Sequence, residues 1–478
     1  MAPAAPTRRD FLRGSLAGLV ALPAFYRAAD LFAAPAAGAA SPRVRFLLRN
    51  DAEFARHAQI FNRRIAATPR VIAVCLDEEG VREALRYAQS ENLPVALKSG
   101  GHCFEGFSTN DGGMMLDLSG LNAARYDRAS KRLTVQPGAK LGAVYETLAP
   151  RGRLIPAGSC AGVGVAGLTL GGGYGFWSRR FGLTADSLRR VRLIDGKGRP
   201  HDSNDEPELL WACRGGGNGS FGVATSFEFD THPAPDHFVS YRFRYRNLTP
   251  TAATRIAKRW FARMAELPET AYSSWVLNGR HLTILITDTN LDPPPALQAI
   301  LADLKTEPTE AAPAKKDTFA LGIKRYRGGT APIYFKNVSA GYYRGFSEIE
   351  AVLPVVCEKV RSSKVTTLLQ INTLGGAIDK PALEPTAAYP HRKFGFLGEL
   401  QTYYDRPERE KTAVAVVREI QSLFGKSGVT AHYANYPDAD LPNWQSAYYG
   451  ASYPRLQKLK KALDPDDRIR HPQSVRLG

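Results

Sequence analysis

Two glycine-rich segments carry the side chains best placed to do chemistry. One reads Lys98-Ser99-Gly100-Gly101-His102-Cys103-Phe104-Glu105-Gly106-Phe107 and offers an imidazole. The other spans residues 155–175, IPAGSCAGVGVAGLTLGGGYG, and offers the thiol of Cys160 among almost uncharged neighbours. Gly158, Gly162, Gly164, Gly167, Gly171, Gly172, Gly173, Gly175 and Gly182 crowd this stretch. Neither a packed helix nor a regular strand favours that composition. Glycine is retained where the backbone takes φ > 0 or where something flat or anionic approaches the main chain closely. A lone His102 would read as a hydrogen-bonded loop histidine, and a lone Cys160 as a buried thiol. Placed together in two such loops, they point to a large planar cofactor with a phosphate tail.

Two other motifs compete for the same residues and fail on context. Gly162-Val163-Gly164-Val165-Ala166-Gly167, with Asp186 nineteen residues later, imitates the dinucleotide fingerprint. No apolar strand leads directly into it, however, and the triple glycine 171–173 would break the helix it requires. Gly425-Lys426-Ser427 resembles half of a phosphate loop, but Ile420 stands where the first glycine must be. The five cysteines (Cys75, Cys103, Cys160, Cys213, Cys357) form no CxxC or CxxxH pair, so no metal site is expected. Apart from Cys160 they read as small buried residues, with a disulfide among them as the alternative.

Residues 54–65 read as a helix ending near Pro69, and 71–76 as a strand. The acids at 77–79 suit a helix N-terminus, and Val81, Leu85 and Ala88 continue one helical face. Residues 95–98 form the next strand, so a β-α-β unit delivers His102 directly after a strand end. Strands at 114–118 and 132–136, a helix at 141–148, a strand at 188–193, a helix at 206–212 and a strand at 223–229 complete a first lobe. From residue 238 the pattern changes. Helices at 250–266, 295–305, 346–361 and 408–424 interleave with strands at 274–287, 366–373, 394–404 and 429–435. This describes an antiparallel sheet backed by helices. Residues 292–317, with five prolines, read as a surface excursion. Gln370 and Asn372 are two apart on a strand and share a face. The resulting division is a leader at 1–40, a first lobe at 41–235, a second at 236–430, and a segment at 431–478 that returns to the first.

At 478 residues, with 44% hydrophobic and 23% charged residues, the chain is an ordinary globular protein large enough for two lobes. Its net charge of +17 is spread among acids, with no arginine-rich tract, so nucleic acid is not an expected partner. Thr7-Arg8-Arg9-Asp10-Phe11-Leu12-Arg13 matches a twin-arginine leader, followed by a short apolar stretch interrupted by Pro23. A bacterial periplasmic or secreted protein, handled by the twin-arginine (Tat) export machinery and without a stable membrane span, is the expectation.

The spacing SGGHxxxG followed by GxCxxVGxxGxxxGGGYGxxxRxxGLxxD resembles the berberine-bridge-enzyme-like flavoproteins, which share the PCMH-type fold of vanillyl-alcohol oxidase. Residues 209–223, LLWACRGGGNGSFGV, are similar to a further motif of that family. The C-terminal run Tyr433-Ala434-Asn435-Tyr436, Tyr448-Tyr449-Gly450, Arg455-Leu456, Asp464-Pro465 and Gln473-Ser474 keeps the family's order. The resemblance implies an α+β fold: a PCMH-type FAD-binding domain of two α+β subdomains plus a substrate domain with an antiparallel sheet backed by helices. It implies FAD bonded through His102 to the flavin 8α-methyl and through Cys160 to C6. It assigns cofactor binding to Ser99, Gly100, Gly101, Cys103, Gly106, Val163, Gly164, Gly167, Gly171, Gly172, Gly173, Tyr174, Val223 and Asn435. Tyr436 is the implied base, helped by a pKa lowered by neighbouring cations or the flavin, with Gln370 and Asn372 lining the cleft and Tyr389, His391 and Arg392 at its border. A small valine at 163 goes with oxygen access in the family. The implied reaction is oxidation of a CH–OH group of a sugar, oligosaccharide or similar alcohol, with O2 reduced to H2O2. A tailoring oxidase of a secondary metabolite, and a non-catalytic electron-transfer or binding flavoprotein, are the alternatives.

Overall fold

A computed structural model describes residues 43–478; the expected leader, with its arginine pair, lies outside the described residues. The first sheet joins β1 (Val44–Leu47), β2 (Val71–Cys75), β3 (Val95–Lys98) and β4 (Met114–Asp117) in the order β1-β2-β4-β3. Both β2 and β3 run parallel to β4 between them. The Glu78–Ser90 helix crosses from β2 to β3. Asp77 caps it by accepting from the Gly80 amide at 2.7 Å, and Glu78 and Glu79 sit in its first turn. Its Val81, Ala84, Leu85 and Ala88 are buried on the strands.

The chain continues through β5 (Ala124–Asp127), β6 (Arg132–Val135), the short β7 (Arg153–Leu154), β8 (Leu188–Asp195), β9 (Pro200–Asp202), β10 (Gly222–Asp230) and β11 (His232–Pro233). Five of these form an antiparallel sheet in the order β5-β6-β10-β8-β9, while β7 pairs only with β11. The glycine stretch lies between β7 and β8. Its one short helix, Val165–Leu170, stops at Gly171 as the triple glycine requires.

Beyond residue 236 the strands are β12 (His237–Tyr245), β13 (Ala271–Asn278), β14 (His281–Asp288), β15 (Glu310–Thr318), β16 (Tyr334–Tyr343), β17 (Thr366–Thr373) and β18 (Phe396–Tyr404). They make one antiparallel sheet ordered β15-β12-β14-β13-β17-β18-β16. Helices Pro250–Met264, Leu353–Ser362 and Glu410–Lys426 cover one face. There Trp260, Trp275, Leu369, Ile371, Leu400 and Phe424 share a core. Alternation along β17 and β18 therefore turns Gln370, Asn372, Glu399 and Gln401 to the opposite face.

Four local expectations differ. The helix expected over 54–65 stops at Ala58. Beyond it the backbone serves the His102 loop instead: the Phe61 amide donates to the Gly101 carbonyl at 2.9 Å and Asn62 Nδ2 to the Phe104 carbonyl at 2.7 Å. Residues 292–317 are structured, as helix Pro295–Leu304 followed by β15. Pro313 is tolerated because β15 is an edge strand pairing only with β12. Residues 429–435 are not a strand; they cover the edge of β16, with the Tyr342 amide bonded to the Ala431 carbonyl at 2.9 Å. The helical stretch 346–361 divides into a 3-10 turn, Phe346–Glu348, and the Leu353–Ser362 helix, which starts afresh with Pro354 in its first turn.

The last segment returns to the first lobe. Leu456 and Leu463 of helix Tyr453–Leu463 are buried there. The Val95 amide donates to the Arg468 carbonyl at 2.8 Å, and the Arg470 amide to the Val95 carbonyl at 3.2 Å, tying the terminus to β3. Among the described residues, no helix is long and apolar enough to cross a membrane.

Candidate active site

Both glycine loops meet at His102. Ser99, just past β3, donates through Oγ to the Pro137 carbonyl at 2.5 Å. A Cβ on Gly100 would collide with the Gly164 amide, and one on Gly164 with Ser99 Oγ, so the loops touch backbone to backbone. A Cβ on Gly162 would stand 2.7 Å from His102 Nε2. On its other side the imidazole stacks on Phe61, with centroids 4.1 Å apart. Burial, aided by Lys140, lowers the His102 pKa to about 4, so the ring is neutral at physiological pH. Cys160 is exposed as a residue, yet desolvation of its sulfur raises the thiol pKa. Gly328, from the second lobe, stands over it: a Cβ there would lie 3.4 Å from Sγ. Cys103 is half-buried, with its thiol pushed up to about 11 by burial.

The triple glycine lies against the returning segment. A Cβ on Gly171 would collide with the Asn435 amide group. Asn435 Nδ2 donates to the Leu168 carbonyl at 2.9 Å, and Tyr433 accepts from the Gly173 amide at 2.9 Å. The close approaches at Gly100, Gly164 and Gly171 are thus between chain segments. Gly167 is different, because a Cβ there would meet only Asn218 Nδ2 at 3.8 Å. Just past Gly106, the hydroxyls of Ser108 and Thr109 are buried without a hydrogen-bond partner in the protein. The orphaned hydroxyls that follow the His102 loop, the open backbone at Gly167 and the neutral imidazole each suit a polar ligand such as FAD. Val163 is half-buried against the second sheet's core, and Val223 is fully buried in the core of the first.

A second wall comes from β17 and β18. Gln370 Nε2 donates to Asn372 Oδ1 at 2.7 Å, as their shared face requires, and Tyr272 donates to the same oxygen at 2.6 Å. Asn372 Nδ2 donates to the Tyr174 hydroxyl at 3.1 Å, which lies 2.7 Å from that of Tyr436. An amide NH2 only donates, so Tyr174 accepts there and its proton is free for Tyr436. Tyr436 in turn lies close to Glu399, near enough for each to shift the other's pKa, and Glu399 faces Gln370 across the strands. The chain Tyr272–Asn372–Tyr174 thus directs a proton at Tyr436, whose phenol lies near the Glu399 carboxyl.

Burial raises the Glu399 pKa from 4.5 to about 7, against the lowering effect of Gln401 and Tyr436. Desolvation first, then Glu399 and Tyr174, push the Tyr436 pKa well above 10. In the protein alone the Tyr436 phenol therefore stands above its ordinary pKa, with burial as the first cause and the Glu399 carboxylate as the next. Glu399 was not among the expected site residues. Its signal was present: it is the only acid in strand 396–404, among Leu397, Gly398 and Leu400. Residues expected at the cleft border are held in structural contacts. Arg392 is 1% exposed and pairs with Asp186 at 2.6 Å, which also removes the acid of the apparent dinucleotide fingerprint. Tyr389 and His391 are buried, Tyr389 bonding the Tyr342 hydroxyl at 2.6 Å.

A cradle of glycine loops around a neutral imidazole, with a tyrosine pair facing a buried carboxyl of the substrate sheet, suits a flavin-dependent oxidoreductase. Comparison with known proteins agrees. A family profile described as an FAD binding domain matches residues 69–204, and one described as berberine and berberine like matches 432–476. The aclacinomycin-N/aclacinomycin-A oxidase of Streptomyces galilaeus is 30% identical over 478 aligned residues, covering 87% of this chain and 86% of the relative. The xylooligosaccharide oxidase of Thermothelomyces thermophilus is 29% identical, with 91% and 92% covered. A solved structure of the xylooligosaccharide oxidase from Myceliophthora thermophila C1, in complex with xylobiose, superposes with a TM-score of 0.82 at 25% identity, covering 91% of this chain and 98% of that one. The chain belongs to the berberine-bridge-enzyme-like family of FAD-linked oxidoreductases. It has that family's α+β fold, with an FAD-binding domain and an antiparallel substrate sheet.

Proposed function

We propose that this enzyme oxidises a CH–OH group of a sugar, oligosaccharide or similar neutral alcohol, with Glu399 taking the hydroxyl proton through Tyr436. The carrying observation is the relay that ends on Glu399, a buried carboxyl titrating near neutrality. A base is most effective when its pKa lies near the working pH. Tyr436, bonded to Tyr174 and close to Glu399, is placed to accept the substrate proton as its own passes to Glu399. Gln370, Gln401 and Tyr403, linked by hydrogen bonds of 3.4 and 3.1 Å, supply neutral donors and acceptors suited to a polyol. Bound FAD would supply the hydride acceptor, held between the His102 and Cys160 loops.

Covalent attachment through both residues belongs to this reading. A neutral His102 has a free lone pair, and the cysteine lies on the loop that touches the His102 loop. Oxygen as final acceptor, with Val163 leaving it access, and Tat export to the periplasm or beyond complete the proposal. A tailoring oxidase is the second reading, favoured by the 30% identity to an aclacinomycin oxidase.

The test begins with acid precipitation of the exported protein. Yellow colour should stay in the pellet for wild type, His102→Ala and Cys160→Ala, and leave it only in the double variant; a colourless wild-type pellet refutes the attachment. Peroxide release is then read with glucose, cellobiose, xylobiose, diacetylchitobiose, benzyl alcohol and an anthracycline glycoside. Turnover of the last alone selects the tailoring reading, and turnover of none refutes the oxidase.

A further inference from the structure

We propose that Lys336 is a positioning residue that sets the Tyr436 phenol against Glu399, and that it does so by holding two remote chain segments on one ammonium group. Lys336 lies on β16, and its side chain is 2% exposed. Its Nζ pairs with Glu105 of the His102 loop, and with Asp438 Oδ1 of the returning segment at 2.8 Å. Glu105 adjoins Phe104, and Asp438 lies two residues past Tyr436. Those two rings stack on each other, with centroids 5.2 Å apart and planes 9° from parallel. One cation thus grips the chain beside each member of the stack.

Neighbouring bonds show how little freedom remains. The Ser339 amide, three residues along β16, donates to the Tyr436 carbonyl at 2.9 Å. Tyr436 is therefore held by β16 on one side of its residue and by Lys336 through Asp438 on the other. Phe104 is held by Asn62 through its carbonyl and by Phe335 edge-on at 5.6 Å. Glu105 has a second cation, Arg64. Asp438, apart from Lys336, accepts at Oδ1 from the Asp440 amide at 3.1 Å. Without the ammonium, Asp438 loses its cation and the two carboxylates repel.

Stability alone does not account for such a group. A buried ion pair is often no more stabilising than apolar packing of the same volume; what it supplies is direction. Here the direction joins first lobe, second lobe and C-terminal segment two residues from the relay phenol of Tyr436.

The proposal rests on the assignment of Tyr436 and Glu399 to the reaction, so its first readout needs no substrate. Hydrogen exchange is compared in wild type, Lys336→Met and Lys336→Arg. Peptides covering 102–107 and 433–440 should exchange at least tenfold faster in Lys336→Met and within threefold of wild type in Lys336→Arg. Unchanged exchange in Lys336→Met overturns the proposal. Should that variant not fold, Asp438→Asn should speed exchange in 433–440 while 102–107 stays as in wild type; no change in 433–440 overturns it equally.

The second readout is the rate of anaerobic flavin bleaching by the fastest sugar or alcohol of the panel above. Lys336→Met should lower it at least tenfold in the wild-type background and less than twofold in a Tyr436→Phe background. An equal loss in both backgrounds would make Lys336 a general clamp between the lobes and refute its action through Tyr436. A panel without any donor refutes the functional reading instead, and leaves the exchange result to decide the role of Lys336.

Discussion

Replacing Glu399 with glutamine keeps the shape of the side chain and removes its proton chemistry. The carboxyl changes from an ordinary pKa of 4.5 to about 7 on folding, with burial as the first cause. The folded protein therefore holds this proton more tightly than the unfolded chain. That contribution is fully present below pH 4.5 and is lost as pH rises through 7, with a total of about 3 kcal/mol. Glutamine does not titrate. Glu399→Gln should thus be more stable than wild type at pH 8, by up to ~3 kcal/mol, and lose that advantage below pH 5. Its rate of flavin reduction should fall about 10²–10⁴-fold, the usual contribution of a general base. In wild type the same rate should rise with pH through 7 as the carboxylate forms. Stopped-flow bleaching of the flavin between pH 5 and 9, with thermal unfolding at pH 5 and 8, reads both effects. A variant reduced within threefold of the wild-type rate would refute the base assignment. A stability difference that is the same at both pH values would refute the raised pKa.

Other outcomes follow from single contacts. Tyr436→Phe removes the relay hydroxyl between Tyr174 and Glu399 and should slow flavin reduction about 10²-fold while leaving the yellow colour in an acid pellet. Gly164→Ala would drive a methyl into Ser99 Oγ and the Gly100 backbone; the purified protein should carry less flavin, read as the ratio of visible to ultraviolet absorbance. Asp186→Asn strips the buried Arg392 of its counter-charge and should cost about 3–5 kcal/mol in denaturant unfolding. Trp260→Ala opens a void beneath the helix-covered face of the substrate sheet and should cost about 3–5 kcal/mol, with the flavin lobe's exchange protection unchanged.

Much of this protein is local in origin and so was legible in its residues. The Glu78–Ser90 helix is specified by its cap, its acidic first turn and one apolar face. Placing His102 directly after a strand follows from that β-α-β unit. Glycines at 100, 164 and 171 announce close approach, and the alternation of β17 puts Gln370 and Asn372 on one side. What glycine composition leaves open is which partner approaches; three of these positions turned out to face other chain segments, including an amide from residue 435.

Only the tertiary structure decided the electrostatics of the site. A strand pattern shows that Glu399 and Leu397 share a face, but not that this face is dry, nor that Tyr436 arrives over it from 37 residues downstream. Burial depends on both lobes being in place, and burial moves the Glu399 carboxyl to neutrality and the Tyr436 phenol upwards. The same holds for Lys336, whose partners are 231 residues before it and 102 after it. Chain-local signals set elements, because turns, caps and periodicity act within a few residues. Charge and pKa are set by everything within a few ångströms, and here those neighbours come from three distant parts of the chain.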